Sequence, residues 1–221
     1  MDTTRIADLL QPFLAPVTLS AQQLKHISMY IDLLLRWNAR INLTAIRHPE
    51  EIVTRHFGES LFAANHLFPL CRRERPRSCS SDETLIDVGS GPGFPGLPIK
   101  IWAPDLHLTL IESTQKKATF LREVTRNLTL TDINVFAGRA QDYLNPPADA
   151  VTLRAVERLE ATLPIAASLV APAGRLALLS GEAQFTRTQD LTPGFKWATP
   201  IPIPLSTSRV LAVGTKRREP S

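Results

Sequence analysis

Residues 85–96 read LIDVGSGPGFPG: a short apolar run gives way to four glycines and two prolines. A strand that ends in glycines and leads into a helix brings bare backbone to the carboxyl edge of a sheet, where a ligand can approach it closely. Residues 91–96 satisfy the G-x-G-x-x-G spacing, which is a weak signal by itself. A second feature strengthens it. Glu112, in LTLIES, stands at the end of the next predicted strand, where a carboxylate can hold two ribose hydroxyls.

Both features suit a ligand that contains adenosine, so they fit nicotinamide dinucleotides and S-adenosylmethionine alike. Two details favour the methyl donor. Asp87 sits directly before the glycines, where it can orient the loop or meet a cationic amino-acid group, and a diphosphate gains nothing from a negative charge there. Pro92, Pro95 and Pro98 remove three of the N–H groups that a diphosphate would use. A glycine-proline turn with no ligand is the plain alternative; the strand before it and Glu112 after it argue against that. Asn145-Pro146-Pro147 is similar to the motif that amino-group methyltransferases use to hold a flipped base. Here it precedes a strand and is followed by Ala148 rather than an aromatic residue, so it is read as a proline loop.

The elements that must position these residues follow from periodicity. Leu24, Ile27, Ile31, Leu34, Leu35 and Ile41 recur at helical spacing, and Ser20 with Gln23 makes a capping box, so a helix is predicted from Ser20 to about Ile41. A second helix opens at Pro49 and runs to about Leu67. Residues 71–83, basic and then serine-rich, read as a linker. From Thr84 onward, predicted strands at Thr84–Val88, Leu106–Ile111, Asn134–Ala137, Ala150–Arg154 and Arg175–Leu179 alternate with helices such as Lys116–Asn127 and Leu159–Val170. Such alternation predicts a parallel sheet covered on both faces. The stretches FKWATPIPIPL and SRVLAVGTKR, with no helix between them, predict an antiparallel hairpin at the end. The domain reading is therefore a helical extension over 1–70 packed on the core, the linker, and a catalytic domain over 84–218.

Composition sets outer bounds. The chain has 221 residues and 43% hydrophobic content, enough for one domain with an extension. No secretory leader and no membrane-length apolar run is read in it. Cys71 and Cys79 lack CxxC spacing and read as free thiols in a reducing cytoplasm, with no metal site. The net charge of +4 permits an anionic partner without demanding one.

Taken with RWNARINLTAI (36–46), RHFGESL (55–61), DVGSGPGFPGLPI (87–99), ESTQKKATFL (112–121), GRAQDY (138–143) and LRAVE (153–157), the chain resembles the small-subunit ribosomal RNA methyltransferase G family, also called the glucose-inhibited division protein B family. The resemblance spans Leu24 to Arg217. It implies a class I, Rossmann-like α/β fold with a seven-stranded sheet, and transfer of methyl from S-adenosylmethionine to N7 of a guanine in bacterial 16S rRNA. It also implies donor contacts at Gly89, Phe94, Ala140, Gln141 and Arg154, with Glu112 at the ribose; the reading of the loop itself adds Gly91 and Asp87 to the expected donor site. The family usually carries an acid where Gln141 stands, often a serine at Leu153 and commonly a lysine at Ser180.

Guanine N7 bears a lone pair and no proton, so this reaction needs no general base, and no catalytic acid, base or nucleophile is assigned. Arg154 follows the fourth strand, where a guanidinium can meet the donor carboxylate, the guanine edge or a phosphate; an ion pair with Glu157 is the plain alternative. Asn38, Asn42 and Trp37 are read as structural, and His56 as a satisfied side chain. RNA-binding candidates are Lys116, Lys117, Arg122, Arg126, arginines 72, 73, 75 and 77, and Lys216, Arg217 and Arg218. The expected protein is a cytoplasmic monomer that acts on the small ribosomal subunit, away from membranes. Methylation of a protein or small molecule, and non-catalytic RNA binding with a vestigial loop, are the competing readings; a dinucleotide oxidoreductase is a distant third.

Overall fold

The computed structural model describes residues 1–69, 83–155 and 159–218. Its centre is a sheet in the order β3-β2-β1-β4-β5-β8-β6, with β7 also paired to β8. The strands are β1 (Thr84–Val88), β2 (His107–Ile111), β3 (Ile133–Phe136), β4 (Ala148–Arg154), β5 (Val170–Gly181), β6 (Phe195–Trp197), β7 (Ile201–Pro202) and β8 (Arg209–Lys216). The first five are parallel, and β8 runs antiparallel between β5 and the two short segments β6 and β7. Eight strands thus fill seven positions. Pro200 and Pro202 lie where the outer strand is broken, as expected of residues with no N–H to give a ladder.

Alternate residues of each strand serve opposite faces. Leu85, Leu108, Leu110, Ala177 and Leu179 join the larger core cluster, while Ile86, Val88, Ile111, Leu176 and Leu178 join the smaller. The helices α1 (Thr3–Leu14), α2 (Ala21–Asn38), α4 (Glu59–Leu67), α5 (Gly96–Trp102) and α6 (Gln115–Asn127) cover the first face; α7 (Leu159–Ser168) and α8 (Phe185–Leu191) cover the second. The N-terminal helices share one apolar core with the sheet.

Local chemistry explains the element ends. The capping box at Ser20 forms as read: Ser20 N–H donates to Gln23 Oε1 at 2.9 Å, and Gln23 N–H to Ser20 Oγ at 3.2 Å. Gln23 then donates Nε2 to the carbonyl of Ile101 at 3.0 Å, satisfying an orphan acceptor at the end of α5. The helix stops at Asn38, three residues short of the predicted end, because the Asn38 side chain folds back. Its Oδ1 accepts from Leu43 N (2.9 Å) and Thr44 N (3.1 Å), and Nδ2 donates to Thr44 O (3.0 Å). The helix predicted from Pro49 to Leu67 is in fact α3 (Pro49–Glu51), a π-helix (Ile52–Gly58) and α4 in succession. Helices α1 and α8, unpredicted, add to the set, and α1 lays Phe13 over Gly58, where a Cβ would stand 2.6 Å from the ring. The predicted linker lies outside the described residues apart from Glu83.

Candidate active site

The glycine loop joins β1 to α5 at the carboxyl edge of the sheet, and its backbone donors can be counted one by one. Gly89 N and Ser90 N both donate to Ile111 O, at 2.9 and 3.0 Å. Gly91 N donates to Glu112 Oε2 at 2.9 Å. Gly93 N and Phe94 N donate to Ser90 O, Gly96 N to Asp87 Oδ2 at 3.1 Å, and Leu97 N to Gly93 O. Positions 92 and 95 are prolines. Every N–H from 89 to 97 is therefore spent inside the protein. A diphosphate would find no donor here; a sulfonium or ammonium group would meet an electron-rich, bare surface. The approach is open: a Cβ on Gly89 would meet nothing within 4 Å, and one on Gly91 only the Gly89 carbonyl at 3.9 Å. Both glycines have positive φ, +70° and +56°.

Asp87 is completely buried, with Thr152 Oγ1 donating to Oδ1 at 2.8 Å and Gly96 N–H to Oδ2. Through Gly96 the carboxylate orients the loop directly, the first of the two roles read from the sequence. Burial pushes its carboxyl up to about 6, against the pull of Thr152 and Gly96. Glu112, also buried, takes Gly91 N–H on Oε2 and Thr114 N–H (2.7 Å) on Oε1. Each oxygen keeps a lone pair for a hydroxyl donor. Ala140 and Gln141 lie in a 3-10 turn (Ala140–Asp142) just after β3, and Gln141 is exposed.

Phe94 turns its ring inward, 5% exposed. It stacks on Tyr30 at 5.4 Å and 5° and on His56 at 4.6 Å and 18°. The Tyr30 hydroxyl donates to Pro92 O and so ties α2 to the loop. His56 Nε2 bonds Thr44 Oγ1 at 2.8 Å. Asn38, Thr44, His56 and Phe94 thus form a chain from the WNARINLT segment to the glycine loop, the structural role expected of Asn38. Trp37 packs edge-on against Phe120. Burial, then the charges of Arg154, Arg55 and Arg209, depress the His56 imidazole to about 3. A histidine with a depressed folded-state pKa contributes stability that is complete above pH about 6.5 and is lost as pH falls toward 3. His56→Phe, which keeps the stacking, is expected to flatten that acid-side loss in urea titrations run across this window; an unchanged slope would reassign it.

Arg154, at the end of β4, meets a partner the sequence did not suggest. Its Nη2 donates to Glu59 Oε2 at 3.0 Å and to the Arg55 carbonyl at 2.5 Å, and its side chain is 7% exposed. Glu157, the partner first considered, lies outside the described residues. Glu59, at the π–α junction, also faces Arg209 Nη2 at 2.9 Å and Arg55 Nε at 3.8 Å. The π-helix brings Arg55, His56 and Glu59 together on this edge; π-turns are rare and frequent at functional sites. Glu59 and Arg209 escaped sequence reasoning, since the two arginines that Glu59 holds at hydrogen-bond distance are 95 and 150 positions away in the chain.

Other candidates are placed elsewhere. Lys216 is a correction: its Nζ is spent on Ala167 O (3.2 Å) and Val170 O (2.7 Å), closing the end of α7. With Arg217 and Arg218 it follows an antiparallel strand to the amino edge of the sheet, away from the glycine loop. Asn145, Pro146 and Pro147 likewise line a cleft of about 520 Å³ with Thr84, His107 and Asp132, at that same far edge. Arg122 donates to Val135 O, and Lys116 stands exposed in the first turn of α6. Arginines 72, 73, 75 and 77 lie outside the described residues.

Comparison with known proteins fits this geometry. Residues 23–196 match the family described as rRNA small subunit methyltransferase G. The chain belongs to that family. It is 35% identical over 187 residues to the ribosomal RNA small subunit methyltransferase G of Leuconostoc mesenteroides, covering 82% of this chain and 74% of the relative. The enzyme of the same name from Stenotrophomonas maltophilia is 35% identical over 202 residues, covering 90% and 89%. Among solved structures, M. jannaschii TYW2 in complex with AdoMet superposes with a TM-score of 0.53 at 17% identity, over 68% of this chain and 76% of that one, which supports the fold.

Proposed function

We propose that the protein transfers a methyl group from S-adenosylmethionine to N7 of a guanine in 16S rRNA of the small ribosomal subunit. The observation that carries the donor is the glycine loop with all its N–H groups turned inward, beside Glu112. S-adenosylmethionine, when bound, supplies an electrophilic methyl on a sulfonium. Gly89 and Gly91 would let it lie against the backbone, Glu112 would accept from the ribose hydroxyls, and Ala140 and Gln141 would hold the adenine, while Asp87 holds the loop through Gly96, the Phe94 ring packs beneath the loop and Arg154 would face the substrate. N7 gives up no proton, so the residues have only to bring its lone pair into line with the methyl group and exclude water. A neutral His56, bonded to Thr44 and stacked on Phe94, is consistent with a site that moves no proton.

In this reading residues 1–70 form a helical extension and 84–218 the catalytic domain, acting as a cytoplasmic monomer without a metal. Among the described residues no group of three or more His, Cys, Asp or Glu is placed to hold a metal ion, and no helix is long and apolar enough to cross a membrane. Glu112→Ala removes a carboxylate that both pins Gly91 and meets the ribose, and should weaken donor binding about tenfold or more by calorimetry. Mapping of 16S rRNA from cells with and without the gene tests the acceptor. Loss of a single 7-methylguanosine, restored by the wild-type chain and not by Gly89→Arg, is the expected result. An unchanged rRNA profile would redirect the search to protein or small-molecule acceptors.

A further inference from the structure

Three guanidinium groups converge on one buried carboxylate at the edge of the sheet where the donor loop lies. Glu59 is 4% exposed in its side chain; Arg154, Arg209 and Arg55, at 7%, 21% and 48%, step outward from it toward solvent. Neutralising Glu59 requires one cation. Arg55 has a second carboxylate of its own in Glu51, at 3.7 Å, which leaves Arg154 and Arg209 sharing Glu59, two cations on one close carboxylate. Both close contacts fall on the same oxygen, Oε2: Arg154 Nη2 hydrogen-bonds it at 3.0 Å, and Arg209 Nη2 stands 2.9 Å away as an ion pair, so a single atom anchors Arg154 and attracts Arg209. Arg209 Nε and Nη2 are buried and have no hydrogen-bond partner among the described residues, and the Arg154 guanidinium sits 5.9 Å from the Phe94 ring beneath the glycine loop. A cluster serving only the fold would not be expected to carry surplus cations or an unspent donor.

We propose that Glu59 is a positioning residue: it holds Arg154 and Arg209 in one orientation, so that their surplus charge receives a phosphate of the RNA acceptor and brings the target base into line. This rests on the methyltransferase reading above. Long guanidinium side chains freed from the carboxylate would still attract RNA, since the charge stays, but would no longer set its register. Affinity and turnover should therefore part company.

The test uses the full chain, S-adenosylmethionine and small-subunit rRNA. Wild-type activity on that RNA checks the underlying reading; without it, both reading and proposal fall. Given activity, Glu59→Gln should lower kcat about tenfold or more while the donor Kd stays within about twofold and KM for RNA is unchanged or lower, because the patch gains one positive charge. Glu59→Asp, which keeps the charge, should recover part of the loss. A kcat unchanged in folded Glu59→Gln protein, or kcat and RNA affinity lost together in step with the folded fraction, would overturn it. Should Glu59→Gln fail to fold, Arg209→Lys carries the same question: a point charge in place of the fork should preserve RNA affinity and salt dependence yet lower kcat. Equal kcat for Arg209→Lys and wild type would count against the proposal.

Discussion

Gly93→Ala should cost about 3 kcal/mol of stability and abolish donor binding with it, an overpacking penalty added to left-handed backbone strain. Gly93 has a φ of +95°, and a Cβ there would stand 2.3 Å from the Tyr30 hydroxyl, 2.6 Å from Leu97 Cδ1 and 3.1 Å from Leu121 Cδ2. None of these neighbours can retreat easily: Tyr30 is fully buried and its hydroxyl is the tie from α2 to Pro92. Gly89→Ala is the informative control. It has positive φ but open space, so it should cost only about 1 kcal/mol while still crowding a ligand against the loop. Thermal denaturation with calorimetric donor binding separates the two effects. Equal stability of the two variants would mean that the Tyr30 contact is not what fixes the loop.

Asp87→Ala is expected to be comparably severe and for another reason. It strands two buried donors, Gly96 N–H and Thr152 Oγ1–H, at about 1–3 kcal/mol each. Asp87→Asn can keep both bonds, since the amide offers an acceptor to Gly96 and a donor to Thr152, so it should fold. The pH dependence then isolates the charge. A carboxyl raised from 3.8 to about 6 gives stability that is present below pH 3.8 and lost as pH rises through about 6. That trend opposes the one from His56, and Asp87→Asn should remove it. Donor affinity should run the other way: a cationic ligand binds better once Asp87 is ionised, so wild-type affinity should fall as pH drops through about 6, and in Asp87→Asn it should be lower and flat. The same inflection in both proteins would show that Asp87 acts on the loop alone.

Much of this site was legible from local sequence. Glycines and prolines restrict backbone geometry within a few residues of themselves, so Gly89, Gly91 and the three prolines announced a loop that a ligand can touch and a diphosphate cannot use. Strand and helix periodicity placed β1, β2 and α6 to within a residue or so, and put Glu112 at the next strand end, because burial on two faces writes a repeating apolar pattern into the chain. Helix α8, seven residues long with a polar FTRTQDL sequence, carries no such strong pattern and is not predicted. The break of the Pro49–Leu67 helix into a π-turn was equally invisible, since nothing in IVTRHFG differs in kind from an ordinary helical run.

What only the tertiary structure decided are the pairings between distant segments. Asn38 could be read as structural but not as the first link of a path through Thr44 and His56 to Phe94. Arg154 is marked by its place at the end of β4, yet its partner Glu59 comes from a different layer, and Arg209 joins them because β8 runs antiparallel and so begins where the parallel strands end. The same reversal carries Lys216 away from the glycine loop, and its ammonium instead serves Ala167 O and Val170 O. Charge and residue type are properties of one position; which edge of the sheet they reach depends on strand direction, and that is settled by packing.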